Sequence, residues 1–210
     1  MANNSRSAQR KKLRKVYRSK RHALGPLAQR RAAIALARHL IANAHYRRSK
    51  NIAAYLASDG EINLSIVLAH ACRARKIIYV PMLDALGRMR FVRYKPGDGL
   101  GTAHKGFAAP ARGKPGSRHL QFDLVLMPLV AFDNKGNRLG RGGGHYDRYF
   151  SSMAAPGKSA PLLLGVAHAL QQAPGLEAAA WDVGLDAVAT ERGIQYFRGV
   201  QSRTPRTVEK

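Results

Sequence analysis

Between Asn137 and Phe150 the chain reads Asn-Arg-Leu-Gly-Arg-Gly-Gly-Gly-His-Tyr-Asp-Arg-Tyr-Phe, and these residue types at this spacing can hold an anion. Glycines at 140, 142, 143 and 144 allow positive φ angles. They also let several bare N–H groups converge on one ligand, as in loops that cradle phosphate oxygens. No helix breaker follows Gly144 for about two turns, so a helix starting near His145 would add its N-terminal dipole to the same site. Arg138 and Arg141 supply fixed positive charge, and Asp147 offers the hard oxygen that Mg²⁺ takes when it accompanies a nucleotide. Consecutive glycines also make ordinary surface turns. The rest of the string has to separate the two readings, together with the apolar run from Asp123 to Phe132 and the turn built on Asp133, Asn134 and Gly136 that precede it.

A second concentration of charge lies near the start. Residues 1–50 hold 15 Lys or Arg and no acid, within a chain of 36 Lys and Arg, 12 Asp and Glu and a net charge of +24. Such an excess attracts polyanions, whether nucleotides, polyglutamates, RNA or anionic lipid surfaces. Arg10, Lys11, Lys12 and Arg14 fall within about one and a half helical turns. They can be read as a solvated face, an RNA-binding arm or a clamp on a triphosphate. An Arg-rich, acid-free start is also the composition of an organellar targeting peptide.

Smaller signals need weighing as well. Leu56 and Glu61 lie at the carboxyl end of a predicted strand, where α/β sheets bind ligands; a core leucine and an exposed turn glutamate would fit the same residues. Ser152 to Ser159 ends in Gly157-Lys158-Ser159 like a phosphate-binding loop. However, Ser152 occupies the first-glycine position, Pro156 stiffens the middle and no strand precedes it, so a linker is expected. His168 ends a predicted strand with no second ligand nearby, and the eight histidines show no metal-type spacing. The single cysteine, Cys72, cannot form an internal disulfide. In the helical pattern of Ile66, Val67, Leu68 and Ala71 it is expected to be a buried structural thiol.

Positioning these groups falls to elements that the apolar pattern outlines. Residues 1–6 read as a disordered tail, and Ser7 to Ala23 as a helix with a narrow stripe of Leu13, Val16 and Tyr17. Pro26 opens a second helix that should end near Ala44. Strand Asn51 to Ala57, helix Asn63 to Ala74 and strand Lys76 to Leu83 make a βαβ unit, whose crossover should be right-handed. Arg90 to Lys95 is a further strand, and residues 102–119 form a mobile excursion. Asp123 to Phe132 is a buried strand feeding the glycine loop, and Pro161 to Ala169 is another. With 210 residues, 45% of them hydrophobic, one core is expected: a single domain over 7–198 between disordered ends at 1–6 and 199–210. No apolar run reaches the ~18 residues of a membrane span, and no signal-peptide core is present. A soluble, cytoplasmic protein is expected.

The whole string from Asn137 through Arg148 closely resembles the signature of the 5-formyltetrahydrofolate cyclo-ligase family, and the other features stand in that family's order. These are the basic stretch Arg10 to Arg14, Leu56 and Glu61 five residues apart, Tyr94-Lys95-Pro96-Gly97, Gly106 to Pro110, and the closing Trp181 to Glu191 segment. The resemblance covers residues 7 to 198. It implies a three-layer α/β/α sandwich with a mostly parallel sheet, similar to the ribose-isomerase and CoA-transferase group. It also implies ATP- and Mg²⁺-dependent cyclisation of 5-formyltetrahydrofolate to 5,10-methenyltetrahydrofolate by way of a phosphorylated formyl oxygen. Carried over position by position, Arg10, Lys11, Lys12, Leu13 and Arg14, with Arg138, Leu139, Gly140, Arg141, Gly142, Gly143, Gly144, His145 and Tyr146, would bind ATP. Leu56 and Glu61, with Arg141 through His145, would bind the folate, with or without a polyglutamate tail. Arg141 and Asp147 would serve catalysis, and Asp147 with Asp186 would hold the metal. His145 stands where many relatives carry Tyr or Phe. A monomer is expected. The rival from another class is a basic RNA-binding or ribosome-associated protein on the same fold; it has the charge behind it but no RNA-recognition motif, and nucleic acid would be bound only non-specifically.

Overall fold

The computed structural model describes residues 2–101, 107–111, 120–151 and 160–197. Most of the 102–119 excursion, the 152–159 linker and the 199–210 tail lie outside the described residues. Nine strands and five helices are assigned among those described. They are α1 (Ala2–His22), α2 (Pro26–Ala42), α3 (Ala44–Arg48), β1 (Asn51–Ala53), α4 (Ser65–Arg73), β2 (Ile77–Leu83), β3 (Met89–Tyr94), β4 (Leu124–Pro128), β5 (Ala131–Phe132), β6 (Arg138–Leu139), α5 (His145–Ser151), β7 (Leu162–Val166), β8 (Ala187–Thr190) and β9 (Gly193–Tyr196).

Seven strands form one sheet in the order β3-β2-β1-β4-β7-β8-β9. The five inner strands are parallel, and β3 and β9 close the edges as antiparallel partners of β2 and β8. A sheet covered on both faces needs strands that are apolar on both sides. In β4, Leu124 and Leu126 join one core with Ile52, Leu164, Leu36 and Leu40, while Val125 and Met127 join the other with Val188, Tyr146 and Phe150. Helices α2 and α4 therefore cover one face, and α5 lies against the other, giving the expected layered α/β architecture. The chain leaves β1 for β2 in one direction and continues from β4 to β7 in the other, so the order reverses between β1 and β4. The crevice at the carboxyl ends of the strands at such a switch point is where open α/β sheets bind ligands.

Two departures from the sequence expectations bear on that crevice. The run Asp123 to Phe132 is two strands, not one: β4 stays in the main sheet, and β5 leaves it to pair with β6. Pro128 has no N–H to continue the ladder. The carbonyls of Leu129 and Val130, freed by the bend, accept hydrogen bonds from the buried Gln171 side chain at 2.9 and 3.0 Å. The β5–β6 turn keeps Gly136 at φ +85°, where a side chain would meet the Leu185 carbonyl at 2.9 Å.

Helix α1 also starts at Ala2, not Ser7, so residues 2–6 are helical and not a disordered tail. No breaker interrupts this stretch, and Arg6 pairs with Glu177 at 3.1 Å. On the apolar side of α1, Tyr17 is buried with Val130, Ala131, Leu139 and Ala173, and Leu13 packs beside them. The helix is thereby laid across the β5–β6 hairpin. Arg21, fully buried, reaches the Leu129 carbonyl at 3.4 Å and Asp59 at 2.6 Å, tying α1 to the loop after β1.

Cys72 is exposed, contrary to the expectation of a buried thiol. The buried face of α4 is Val67, Leu68 and Ala71, and one further residue turns the side chain by about 100°, to solvent.

Candidate active site

The glycine loop follows β6 directly and ends at α5, which begins at His145 as the sequence predicts. Two of its glycines need their freedom. Gly142 has φ +107° with the Arg14 guanidinium 3.4 Å from where a Cβ would stand, and Gly144 has φ +61° with Arg148 2.7 Å from that point. Arg14 donates from Nε to the Gly140 carbonyl at 2.9 Å, so α1 and the glycine loop are joined directly.

A second tie comes from the loop after β1. Arg141 reaches Glu61 at 3.0 Å and the Ser58 hydroxyl at 2.6 Å, and Glu61 accepts from the Ser58 N–H at 3.2 Å. Burial pushes the Glu61 carboxyl above its ordinary range, and the Arg141 charge only partly counters this. Glu61 is therefore a buried, paired group; the exposed-turn reading does not apply to it.

These ties leave two cavities on either side of the glycine loop. The first, of about 270 Å³, lies against the loop after β1 and is lined by Tyr55, Leu56, Glu61, Phe107, His145 and Tyr146 among others. Phe107 meets the His145 ring edge-on, 5.4 Å between centroids. The Tyr146 hydroxyl is buried with no hydrogen-bond partner among the described residues, and burial raises its pKa. An unpaired buried hydroxyl beside a cavity is a site where a ligand polar atom can settle. The second cavity, of about 630 Å³, is lined by Arg6, Ser7, Arg10, Arg14, Trp181 and Asp182 and by the other side of the glycine loop. Gly140, Gly144 and Asp147 line both. A group bound in one cavity can therefore meet a group bound in the other across Asp147.

Asp147 is held for that position. Its Oδ1 accepts from Arg138 at 2.5 Å and from the Val183 N–H at 3.1 Å. Its Oδ2 has no hydrogen bond from any described residue. Arg138 is 3% exposed and also donates to the Val183 carbonyl at 3.1 Å. Its charge serves Asp147 and the 183 loop, and the residue also lines the first cavity. Leu139 is buried in the core under α1, so its part is packing.

The chain matches the model of the 5-formyltetrahydrofolate cyclo-ligase family over residues 6–191. The chain belongs to that family. It is 32% identical over 179 residues to the 5-formyltetrahydrofolate cyclo-ligase of Haemophilus influenzae, covering 84% of this chain and 94% of that one. It is 31% identical over 178 residues to the Escherichia coli K12 protein of the same name, covering 83% and 96%. The structure of Aquifex aeolicus 5,10-methenyltetrahydrofolate synthetase superposes with a TM-score of 0.76 at 27% identity, over 96% of both chains. A 5,10-methenyltetrahydrofolate synthetase from Mycoplasma pneumoniae shares the fold, with a TM-score of 0.69 at 23% identity over 87% of this chain and 98% of that one.

Within this family frame, the structure gathers most of the residues singled out from the sequence. Leu56, Glu61, Arg141, Gly143, His145 and Tyr146 line the first cavity; Arg10, Arg14 and Gly142 line the second. Lys11 and Lys12 are exposed and line neither, while Leu13 anchors the helix. Asp186 is not brought to the site. Its Oδ2 accepts from the Leu163 N–H at 2.8 Å, at the amino ends of β7 and β8 and so at the end of the strands opposite the crevice. The carboxylate that does join Asp147 is Asp182, which takes both Arg10 nitrogens at 2.7 and 3.2 Å. Sequence reasoning missed Arg6, Trp181 and Asp182. An arginine at every fourth position, Arg6, Arg10 and Arg14, was the available signal, since i and i+4 share a helix face.

Among the described residues no three His, Cys, Asp or Glu cluster as a self-sufficient metal site. Mg²⁺ needs no such cluster, because it takes one or two carboxylates and completes its shell with phosphate and water oxygens. The unengaged Oδ2 of Asp147, on the border of the basic cavity, fits that requirement. Asp182 is already committed to Arg10.

Proposed function

We propose that the protein is a 5-formyltetrahydrofolate cyclo-ligase, converting 5-formyltetrahydrofolate and ATP to 5,10-methenyltetrahydrofolate, ADP and phosphate. The observation that carries the reading is the shared border: a basic cavity suited to a triphosphate and a mostly apolar, aromatic cavity suited to a pterin meet at Gly140, Gly144 and Asp147. A formamide oxygen is a poor leaving group and must be activated. The formyl oxygen attacks the γ-phosphorus, the bond to the ADP oxygen breaks, and N10 then adds to the activated formyl carbon. The C–O bond breaks, phosphate departs and N10 gives up its proton.

Most of the acceleration in such a phosphoryl transfer comes from positioning and charge neutralisation. Arg14 and the glycine-loop amides hold the phosphates, and Arg10, fixed by Asp182, lies further along the chain of the nucleotide. Glu61, kept in place by Arg141, faces the pterin with Leu56. Asp147 would hold Mg²⁺ through Oδ2, and when bound the ion offsets charge on the transferring phosphoryl oxygens. An assay of purified protein with 5-formyltetrahydrofolate, ATP and Mg²⁺, followed by the near-ultraviolet absorbance of the conjugated methenyl product, tests the reading. Product formation that requires all three supports it; none under any condition rejects it.

A further inference from the structure

Trp181 is 67% exposed and belongs to none of the three hydrophobic clusters, although a tryptophan left in water forgoes more burial than any other side chain would. Its place is nevertheless fixed. The Asp182 N–H donates to the Ala179 carbonyl at 2.9 Å, and the Ala179 N–H donates to the Asp182 carboxylate at 2.9 Å. Arg10 clamps that carboxylate from α1, and the Val183 N–H is bound to Asp147. A rigid turn thus carries an exposed indole on the wall of the basic cavity.

Helix α1 gives that cavity a direction. Arg14 bonds the glycine loop, Arg10 bonds Asp182 and Arg6 bonds Glu177, so three guanidinium groups run along one helix face from the loop outward. Eight residues of helix at 1.5 Å each place the ends of this row about 12 Å apart. The glycine-loop end presents bare amides and Asp147. Away from that end the cavity presents the Trp181 ring, carried next to the Asp182 that Arg10 clamps, together with Ser7 and Arg6, whose exposed pairing with Glu177 is cheap to rearrange. A ligand that suits both ends has phosphates at one and a flat ring at the other.

We propose that Trp181 is the stacking platform for the base of the nucleotide, and that it favours purine over pyrimidine triphosphates through larger ring overlap. The inference rests on the ATP-dependent reading above. It has a direct reporter, because Trp181 is the single tryptophan of the chain.

Mg-ATP and Mg-GTP should quench or shift the tryptophan emission of the wild-type protein, whereas Mg-tripolyphosphate, which fills only the phosphate end, should not. In the absorbance assay Trp181→Ala should raise the KM for ATP about tenfold, the usual scale of one base–aromatic stack, with kcat at saturating ATP falling far less. Trp181→Phe should restore most of the affinity. The preference for ATP over CTP should narrow in the alanine variant and persist in the phenylalanine variant. Wild-type turnover with ATP combined with an unchanged KM in Trp181→Ala overturns the platform and leaves the cyclo-ligase reading standing. A fluorescence response to tripolyphosphate as large as that to ATP also overturns it. Failure of wild type to use ATP at all removes both.

Discussion

At the scale of single residues, Asp147 is the group on which both cavities depend. Asp147→Asn keeps the shape and the hydrogen-bond acceptor for Val183 but removes the charge, so kcat should fall at least about a hundredfold even at saturating Mg²⁺. Circular dichroism should still report a folded protein; near-normal turnover would remove Asp147 from the mechanism. The two aspartates of the closing segment separate cleanly. Asp182→Asn loosens Arg10, which now has a bidentate carboxylate partner, and should raise the KM for ATP several-fold. Asp186→Asn, at the amino ends of the strands and away from the crevice, should leave the KM for ATP at its wild-type value and show only in the melting temperature. A reversed pattern in paired ATP titrations would restore Asp186 as the metal-side carboxylate. Glu61 illustrates why residue type alone is a poor guide: most glutamates are exposed, and this one is buried because Arg141 and the Ser58 N–H were brought to it from another loop and its own.

Among the elements, α1 is the one whose role the structure sharpens most. The basic run Arg10 to Arg14 is split by helix geometry: Arg10 and Arg14 face the site, and Lys11 and Lys12 face solvent. Neutralising Arg10, Lys11 and Arg14 together should raise the KM for ATP steeply and depress kcat, with nearly all of the effect reproduced by Arg10 and Arg14 alone. Neutralising Arg30, Arg31 and Arg38 on α2 should leave ATP kinetics unchanged, since exposed charges beyond a Debye length are screened. Equal ATP kinetics for the two sets of variants would refute the clamp, and equal losses of RNA affinity would favour the nucleic-acid reading.

The other end of α1 is locked by Asp59, which Arg18, Arg21 and His22 surround. Burial by itself would raise the pKa of this carboxyl; the hydrogen bonds from Arg18 and His22 and the Arg21 charge win and hold it down to about 2. A depressed acid stabilises the fold above its unfolded pKa, ~3.9, and that stabilisation is lost as pH falls through the folded value. Urea melts between pH 4 and pH 2 should therefore lose roughly 2 kcal/mol more in wild type than in Asp59→Asn. At neutral pH the variant should be less stable by about 3 kcal/mol, because the fully buried Arg21 loses its countercharge. Identical acid limbs for the two proteins would show that Asp59 is not the lock.

Over the whole molecule, 36 cations against 12 anions make self-repulsion a standing cost. Raising NaCl to about 0.5 M shortens the Debye length and should raise the melting temperature while weakening ATP binding, the two read by thermal melts and by KM; a melting temperature that falls with salt would mean that the ion pairs around Asp59 and Asp182 outweigh the repulsion. No helix among the described residues is long and apolar enough to cross a membrane. Local information in the chain was enough for helices α1, α2, α4 and α5 but not for the short α3, and it was enough for the βαβ unit, the glycine loop with its helix start at His145, and the family, because each is written in residues adjacent in sequence: apolar period, breakers and a contiguous motif. Locally written features do not say where a chain leaves its sheet or which of two nearby aspartates faces a cavity. The bend after Pro128 exists because Gln171, distant in sequence, satisfies the freed carbonyls. Asp182 outranks Asp186 because Arg10 and the glycine loop stand beside it only after α1 has been laid across the β5–β6 hairpin. Both outcomes are set by contacts between segments far apart in the chain, so tertiary packing had to decide them.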